Sequence, residues 1–220
     1  MPSFAAAARA WPDPLRFAPR FVLALALALC AATLWGKEFI VLLLPYVRAA
    51  LPWLDDSFAI TSLGLHQAQD TVIALRVTLA KAVFINGHFT FTDPRGWLEV
   101  TTTAGTMLQP MVIALGIAAA WPKTVFSTLI ACVLALLGTL LLLLADLPLT
   151  LYAYVWDMFH FHYDPDGFSP LVAWHQFMLS GGRLGLGLVI GAIACALGCT
   201  HTPRFRHESK STGKKMRWKL

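Results

Sequence analysis

Residues 124–145, TVFSTLIACVLALLGTLLLLLA, hold no charged side chain. As a helix such a stretch is about 33 Å long, close to the ~30 Å hydrocarbon core of a bilayer. Inside lipid only a helix or a closed barrel satisfies its own backbone polar groups. Further apolar segments, two of them interrupted by charge, lie at residues 21–45, 104–121 and 179–199. These four segments are expected to be transmembrane helices. The 220 residues are 57% hydrophobic and 13% charged, against about 25% charged in a soluble domain. That balance excludes a disordered chain, a coiled coil and most soluble enzymes.

The first segment follows Arg9, Arg16 and Arg20 and reads FVLALALALCAATLWG before Lys37 and Glu38 interrupt it. Arginines before an apolar run also mark a secretory signal. Leu27-Ala28-Leu29-Cys30 only faintly resembles a lipoprotein cleavage site, because Leu29 stands where such sites take a small residue. The hydrophobicity also continues beyond it, so an uncleaved anchor is expected. Adjacent residues point about 100° apart on a helix, so Lys37 and Glu38 cannot pair well. Lys37, beside Trp35, is expected to snorkel to the interface.

The distribution of charge sets the orientation. Eleven of the 17 basic residues fall in residues 1–20, at Lys123 and in residues 200–220. By the positive-inside rule those segments are cytoplasmic. The chain is thus expected to be a multi-pass membrane protein with both termini inside, and its Ala- and Leu-heavy composition fits a bacterial inner membrane. The tail residues Arg204, Arg206, Lys210, Lys214, Lys215, Arg217 and Lys219 are expected to contact anionic headgroups, each worth about 1 kcal/mol, and not nucleic acid. Trp121-Pro122-Lys123 reads as a tight turn between antiparallel helices.

Residues 46–103 form an outer, periplasmic segment rich in strand signals. From Thr71 onward Ile73, Leu75, Val77 and Leu79 alternate with Ala74, Arg76, Thr78 and Ala80, the period of a half-buried strand. Asn86-Gly87 supplies the turn of a hairpin joining residues 83–85 to 88–92. With residues 58–65 and 97–103 this gives three or four antiparallel strands. The sheet needs a cover for its apolar face: the bilayer surface, the preceding helix or another protein. Arg48, Pro52 and Trp53 read as an interfacial stretch.

Residues 146–178 form the second outer segment, carrying His160, His162, Asp164, Asp166 and His175 but no lysine or arginine. Two readings are open. In one it is a loop with a turn at Asp164-Pro165-Asp166-Gly167 and interfacial histidines beside aromatic residues. In the other, imidazoles and carboxylates of an extended His160-x-His162-x-Asp164 converge on a divalent metal. Arg183 is expected to reach outer headgroups or a carboxylate of residues 157–166. The small-xxx-small pairs Gly181/Gly185 and Gly187/Gly191 mark the last helix for close packing.

Cys30, Cys132, Cys195 and Cys199 form no CxxC pair and lie in or at the ends of apolar runs, so neither disulfides nor a zinc ribbon is expected. No Walker, GxSxG or HExxH motif occurs. A small transporter would need more spans or central polar groups. The order of parts resembles the exosortase-H-associated bacterial membrane proteins. The stretch 101–122, TTTAGTMLQPMVIALGIAAAWP, occupies the passage from outer segment to helical hairpin, and residues 171–187 are similar in layout. The resemblance covers most of the chain, rests on architecture and carries no functional residue over. It implies an accessory to envelope protein sorting that is not itself the peptidase. The expectation is therefore a non-catalytic membrane protein with a membrane protein partner and no cofactor. The alternative is a metal-binding enzyme or metal-handling protein using residues 157–175.

Overall fold

The computed structural model describes residues 14–67, 70–85, 87–93, 95–121, 124–163 and 167–200. The element order is α1 (Pro14–Leu54), β1 (Phe58–Gln67), β2 (Thr71–Leu79), β3 (Val83–Ile85), β4 (His88–Thr90), β5 (Leu98–Thr103), α2 (Ala104–Ala120), α3 (Val125–Tyr163), α4 (Pro170–Phe177), a π-helical turn (Met178–Gly182) and α5 (Arg183–Thr200). Three helical stretches, Phe17–Leu54, Val125–His162 and Pro170–Gly198, are long and apolar enough to cross a membrane; Ala104–Ala120 is a shorter apolar helix. These mark a membrane-embedded protein.

The short helix is the centre of the bundle. α2 packs against α1, α3 and α5, and its small residues let the others approach. Ala114 and Ala118 of α2, Ala131 and Ala135 of α3, and Ala194 and Cys195 of α5 form one buried cluster. Between helices in lipid, close backbone packing replaces the hydrophobic effect as the main attraction. Phe17 lies 5.9 Å from Trp121, and the Ser127 hydroxyl donates to the Gly198 carbonyl at 2.6 Å. The start of α1, the end of α2, the start of α3 and the end of α5 therefore share one end of the bundle.

Two helices overrun the expected boundaries. α1 has 41 residues and α3 has 39, about 60 Å each, twice a hydrocarbon core. α1 passes through Lys37 and Glu38 and continues past Pro45 and Pro52, so the expected interfacial stretch at Arg48–Trp53 is helical. α3 passes through Asp146 and Pro148 to Tyr163, so the expected loop at 146–178 is helical there and again in α4. A proline inside a helix costs about 3 kcal/mol. What offsets it is a continuous apolar stripe on each overhang: Ile40, Leu43, Val47 and Leu51 on α1, and Leu143, Leu147, Leu151, Val155 and Phe159 on α3. Each such side chain contributes about 1.5–3 kcal/mol when fully buried.

Those stripes cover the sheet. β1, β2 and β5 form an antiparallel sheet with β2 in the middle. The pairs Ile73–Thr102, Leu75–Val100 and Val77–Leu98 put one row of side chains on the same face. Ile73, Leu75, Val77, Val100 and Phe58 are buried with the two helical stripes. The opposite face carries Arg76, which pairs with Glu99 at 2.7 Å and lies 4.2 Å above the Trp97 ring. β3 and β4 form a separate hairpin with Gly87 at φ 84°, a left-handed conformation that favours glycine. The alternation and the hairpin stand where the sequence puts them. Of the covers considered, the preceding helix serves, joined by the overhang of α3.

Candidate functional site: a buried ion pair between two helices

α4 and α5 meet at the π-helical turn, where Gly181 has φ 113°. No side chain sits easily at that φ, and the turn re-aims the chain so that Arg183 points into the bundle. Its Nε donates to Asp146 Oδ2 at 2.8 Å, and its Nη2 donates to Thr150 Oγ1 at 2.8 Å. The Thr150 hydroxyl in turn donates to Asp146 Oδ1 at 3.0 Å. Asp146 and Thr150 are one turn apart on α3, so both project from one face. Arg183 is 1% exposed, Asp146 3% and Thr150 0%. Asp146 lies about 30 Å along α3 from Val125, at the far edge of a span starting there.

Beside the triad, His175 of α4 is buried with its ring 4.1 Å from that of Tyr154. Arg183 Nη1 and His175 Nδ1 are buried without a partner among the described residues. Arginine does not lose its proton in proteins, and the Asp146 carboxylate already accepts from two donors. The triad's charges are deeply enclosed. It joins α3 to α5, and Arg183 can do so only because Asp146 cancels its charge away from water.

A second polar joint closes the outer unit. Tyr152 of α3 donates to Asp55 Oδ2 just past α1, and the Ser57 amide donates to Asp55 Oδ1 at 2.8 Å. Burial pushes the Asp55 carboxyl up, but the bonds from Tyr152 and Ser57 and the attraction of Lys81 outweigh it. The group therefore titrates below its ordinary value.

The residues singled out from sequence fare differently. His160 and His162 lie on α3, about 200° apart around its axis, so the extended convergence of His160-x-His162-x-Asp164 is not adopted. His160 contacts the Trp156 ring at 6.1 Å, and His175 is on another helix. Asp164 and Asp166 lie outside the described residues, as does the basic tail from Arg204 to Lys219. Among the described residues no group of three or more His, Cys, Asp or Glu could hold a metal ion. Among the described residues the carboxylate that takes Arg183 is Asp146, and not one of residues 157–163. A Cβ on Gly187 would lie 2.9 Å from Pro110 Cα and O, and one on Gly191 3.1 Å from Ala114 Cα. That pair presses α5 onto α2. Gly181 and Gly185 face no neighbour within 4 Å, so the first glycine pair is not a packing face, and Gly181 serves the kink. Cys195 is buried as expected, whereas Cys30 is exposed.

The sequence reading does not single out Asp146 and Thr150, though a signal exists. Asp146 ends the 22-residue uncharged run 124–145, and Arg183 is the one charge in the last apolar segment. Opposite lone charges in two apolar segments are a pairing pattern. Compared with known proteins, the chain matches no family model, no curated protein and no solved structure.

Proposed function

We propose that this is a non-catalytic integral membrane protein of a bacterial inner membrane that holds a periplasmic docking unit for a membrane protein partner. In this reading α1, α2, α3 and the α4–α5 unit cross the bilayer as four spans with both termini cytoplasmic. The single observation carrying it is the aromatic hairpin. Phe84 and Phe89 are 4.6 Å apart, and Phe89 and Phe91 are 6.2 Å apart. Their exposures are 59%, 63% and 75%. The hairpin follows the end of β2 beside Ser57, while the start of β2 lies next to the first turn of α2. Nine residues of β2 put about 30 Å of strand between it and that turn, and in this reading the hairpin stands clear of lipid. Clustered exposed aromatic rings in water mark a protein contact. In this reading the partner belongs to envelope protein sorting, assembly or secretion, as the resemblance to exosortase-H-associated proteins implies.

Site-specific photocrosslinking from position 89 in native membranes tests this. The expected result is one discrete protein adduct, lost when Phe84 and Phe91 are changed to Ser. Position 34 on the lipid-facing side of α1 should give no such adduct. Adducts from position 89 to lipid alone refute the reading.

A further inference from the structure

α1 and α2 touch closely at two heights. A Cβ on Gly36 would lie 2.6 Å from Leu108 Cδ1, and one on Gly116 3.4 Å from Leu25 Cδ1. Beside this seam runs a groove of about 700 Å³, within the roughly 300–1,000 Å³ range of small-molecule sites. Its lining changes character along the helices. Toward the sheet it is polar, with Lys37 of α1, Asp70 just before β2, and Thr106 and Gln109 of α2. Toward the other end it is apolar, with Leu25 and Leu29 facing Val112 and Ile113. Leu29 is 56% exposed, so the apolar half opens sideways to the bilayer.

Two opposite charges sit at the polar end. Among the described residues the ion pairs are Arg76–Glu99, Lys81–Asp56 and Arg183–Asp146, so Lys37 and Asp70 do not neutralise each other. Both are exposed. A purely apolar occupant would leave both charges without use, and a water-soluble one could not fill the lower half. A purely anionic headgroup would suit Lys37 but meet repulsion from Asp70. One ligand class answers every part: a phosphate for Lys37, an ammonium for Asp70 and acyl chains below.

We infer that the α1–α2 groove binds one zwitterionic glycerophospholipid of the ethanolamine type, held by its headgroup between Lys37 and Asp70 with a chain along Leu25, Leu29, Val112 and Ile113. The inference rests on α1 and α2 lying in a bilayer and not on the partner proposal. Such a lipid would fix the seam where the sheet joins the bundle, because Asp70 belongs to the β1–β2 turn and Lys37 to α1.

Native mass spectrometry of the full chain in mild detergent, with phosphatidylethanolamine or phosphatidylglycerol added, tests it. No partner is present, so the outcome is independent of the docking reading. One phosphatidylethanolamine should be retained per chain in preference to phosphatidylglycerol. Lys37→Gln and Asp70→Asn should each weaken retention about fivefold, the upper range of an exposed ion pair. Asp70→Asn should also narrow the preference over phosphatidylglycerol. Ala32→Phe, which narrows the groove without altering charge, should weaken both lipids. The exposed charge variants leave the core untouched, and their unchanged thermal unfolding confirms that the fold is retained. Equal retention of the two lipids by the unaltered chain, or retention unmoved by all three substitutions, overturns the assignment.

Discussion

Removing one partner of the Arg183–Asp146 pair should be far worse than removing both. Arg183 is 1% exposed and meets Asp146 at 2.8 Å. In Asp146→Leu the guanidinium keeps only its bond to Thr150 and has no route to water. Breaking a buried pair in this way costs about 3–5 kcal/mol, and Arg183→Met should cost a similar amount by stranding the carboxylate. Replacing both with Leu and Met removes the desolvation penalty along with the attraction. The double variant is expected within about 1 kcal/mol of the unaltered chain, or more stable. The cycle then gives a coupling of roughly 5 kcal/mol or more, well above the roughly 0.5–3 kcal/mol usual for residues in contact. Denaturant unfolding in mixed micelles, followed by tryptophan fluorescence, measures all four corners. By the scaling for chains of this size, each single variant should also melt roughly 6–20 °C lower. Single-variant losses below about 1 kcal/mol, or a double variant equal to the sum of the singles, would refute the claim that this pair is buried and coupled.

Other expectations follow from individual contacts. Gly187→Leu drives a side chain into the Pro110 backbone, so it should destabilise by at least the roughly 1–3 kcal/mol of an overpacked core, whereas Gly185→Leu should fall within about 0.5 kcal/mol of neutral; equal unfolding midpoints for the two would remove Gly187 from the α2–α5 contact. Asp55 has its folded-state value below the unfolded one, so its contribution is complete above the unfolded value and is lost as pH falls through the folded value. Asp55→Asn should therefore be less stable than the unaltered chain at neutral pH, and the gap should close on acidification below the ordinary carboxylate range. A gap that stays constant across that titration would mean the Tyr152 and Ser57 bonds do not favour the ionised form.

How much of this fold can be read along the chain depends on whether its cause is local. The β2 alternation and the Asn86-Gly87 turn signal are local: period two sorts side chains to two faces, and the hairpin needs a residue that tolerates positive φ. The helix ends are not local. Pro45, Pro52, Asp146 and Pro148 are ordinary reasons for a helix to stop, and with no partner in view they argue for loops. They are overruled by the stripes Ile40–Leu43–Val47–Leu51 and Leu143–Leu147–Leu151–Val155–Phe159, which have somewhere to go only once β2 and β5 exist. The same holds for the ion pair, whose partners are 37 residues apart and joined through a glycine kink with no periodic signature.

The sheet and the two overhangs therefore explain one another. A three-stranded sheet with one apolar face is marginal in water, and a helix continuing beyond the bilayer exposes an apolar stripe that lipid no longer covers. Each is an incomplete structure that the other completes, and joining them extends the bundle into a unit that, in the proposed orientation, stands clear of the membrane. Rigidity at that junction comes from contacts that cross it: Asp55 with Tyr152 at the far end, and Arg183 with Asp146 where the overhang of α3 begins. In the proposed reading the hairpin is carried on this base, directly after β2. A flexible tether would search a large volume and lose binding free energy on every docking event; a fixed mount has that ordering built into the fold already. This is why the aromatic residues on the hairpin, and not the enclosed charges below them, are where a partner should be sought.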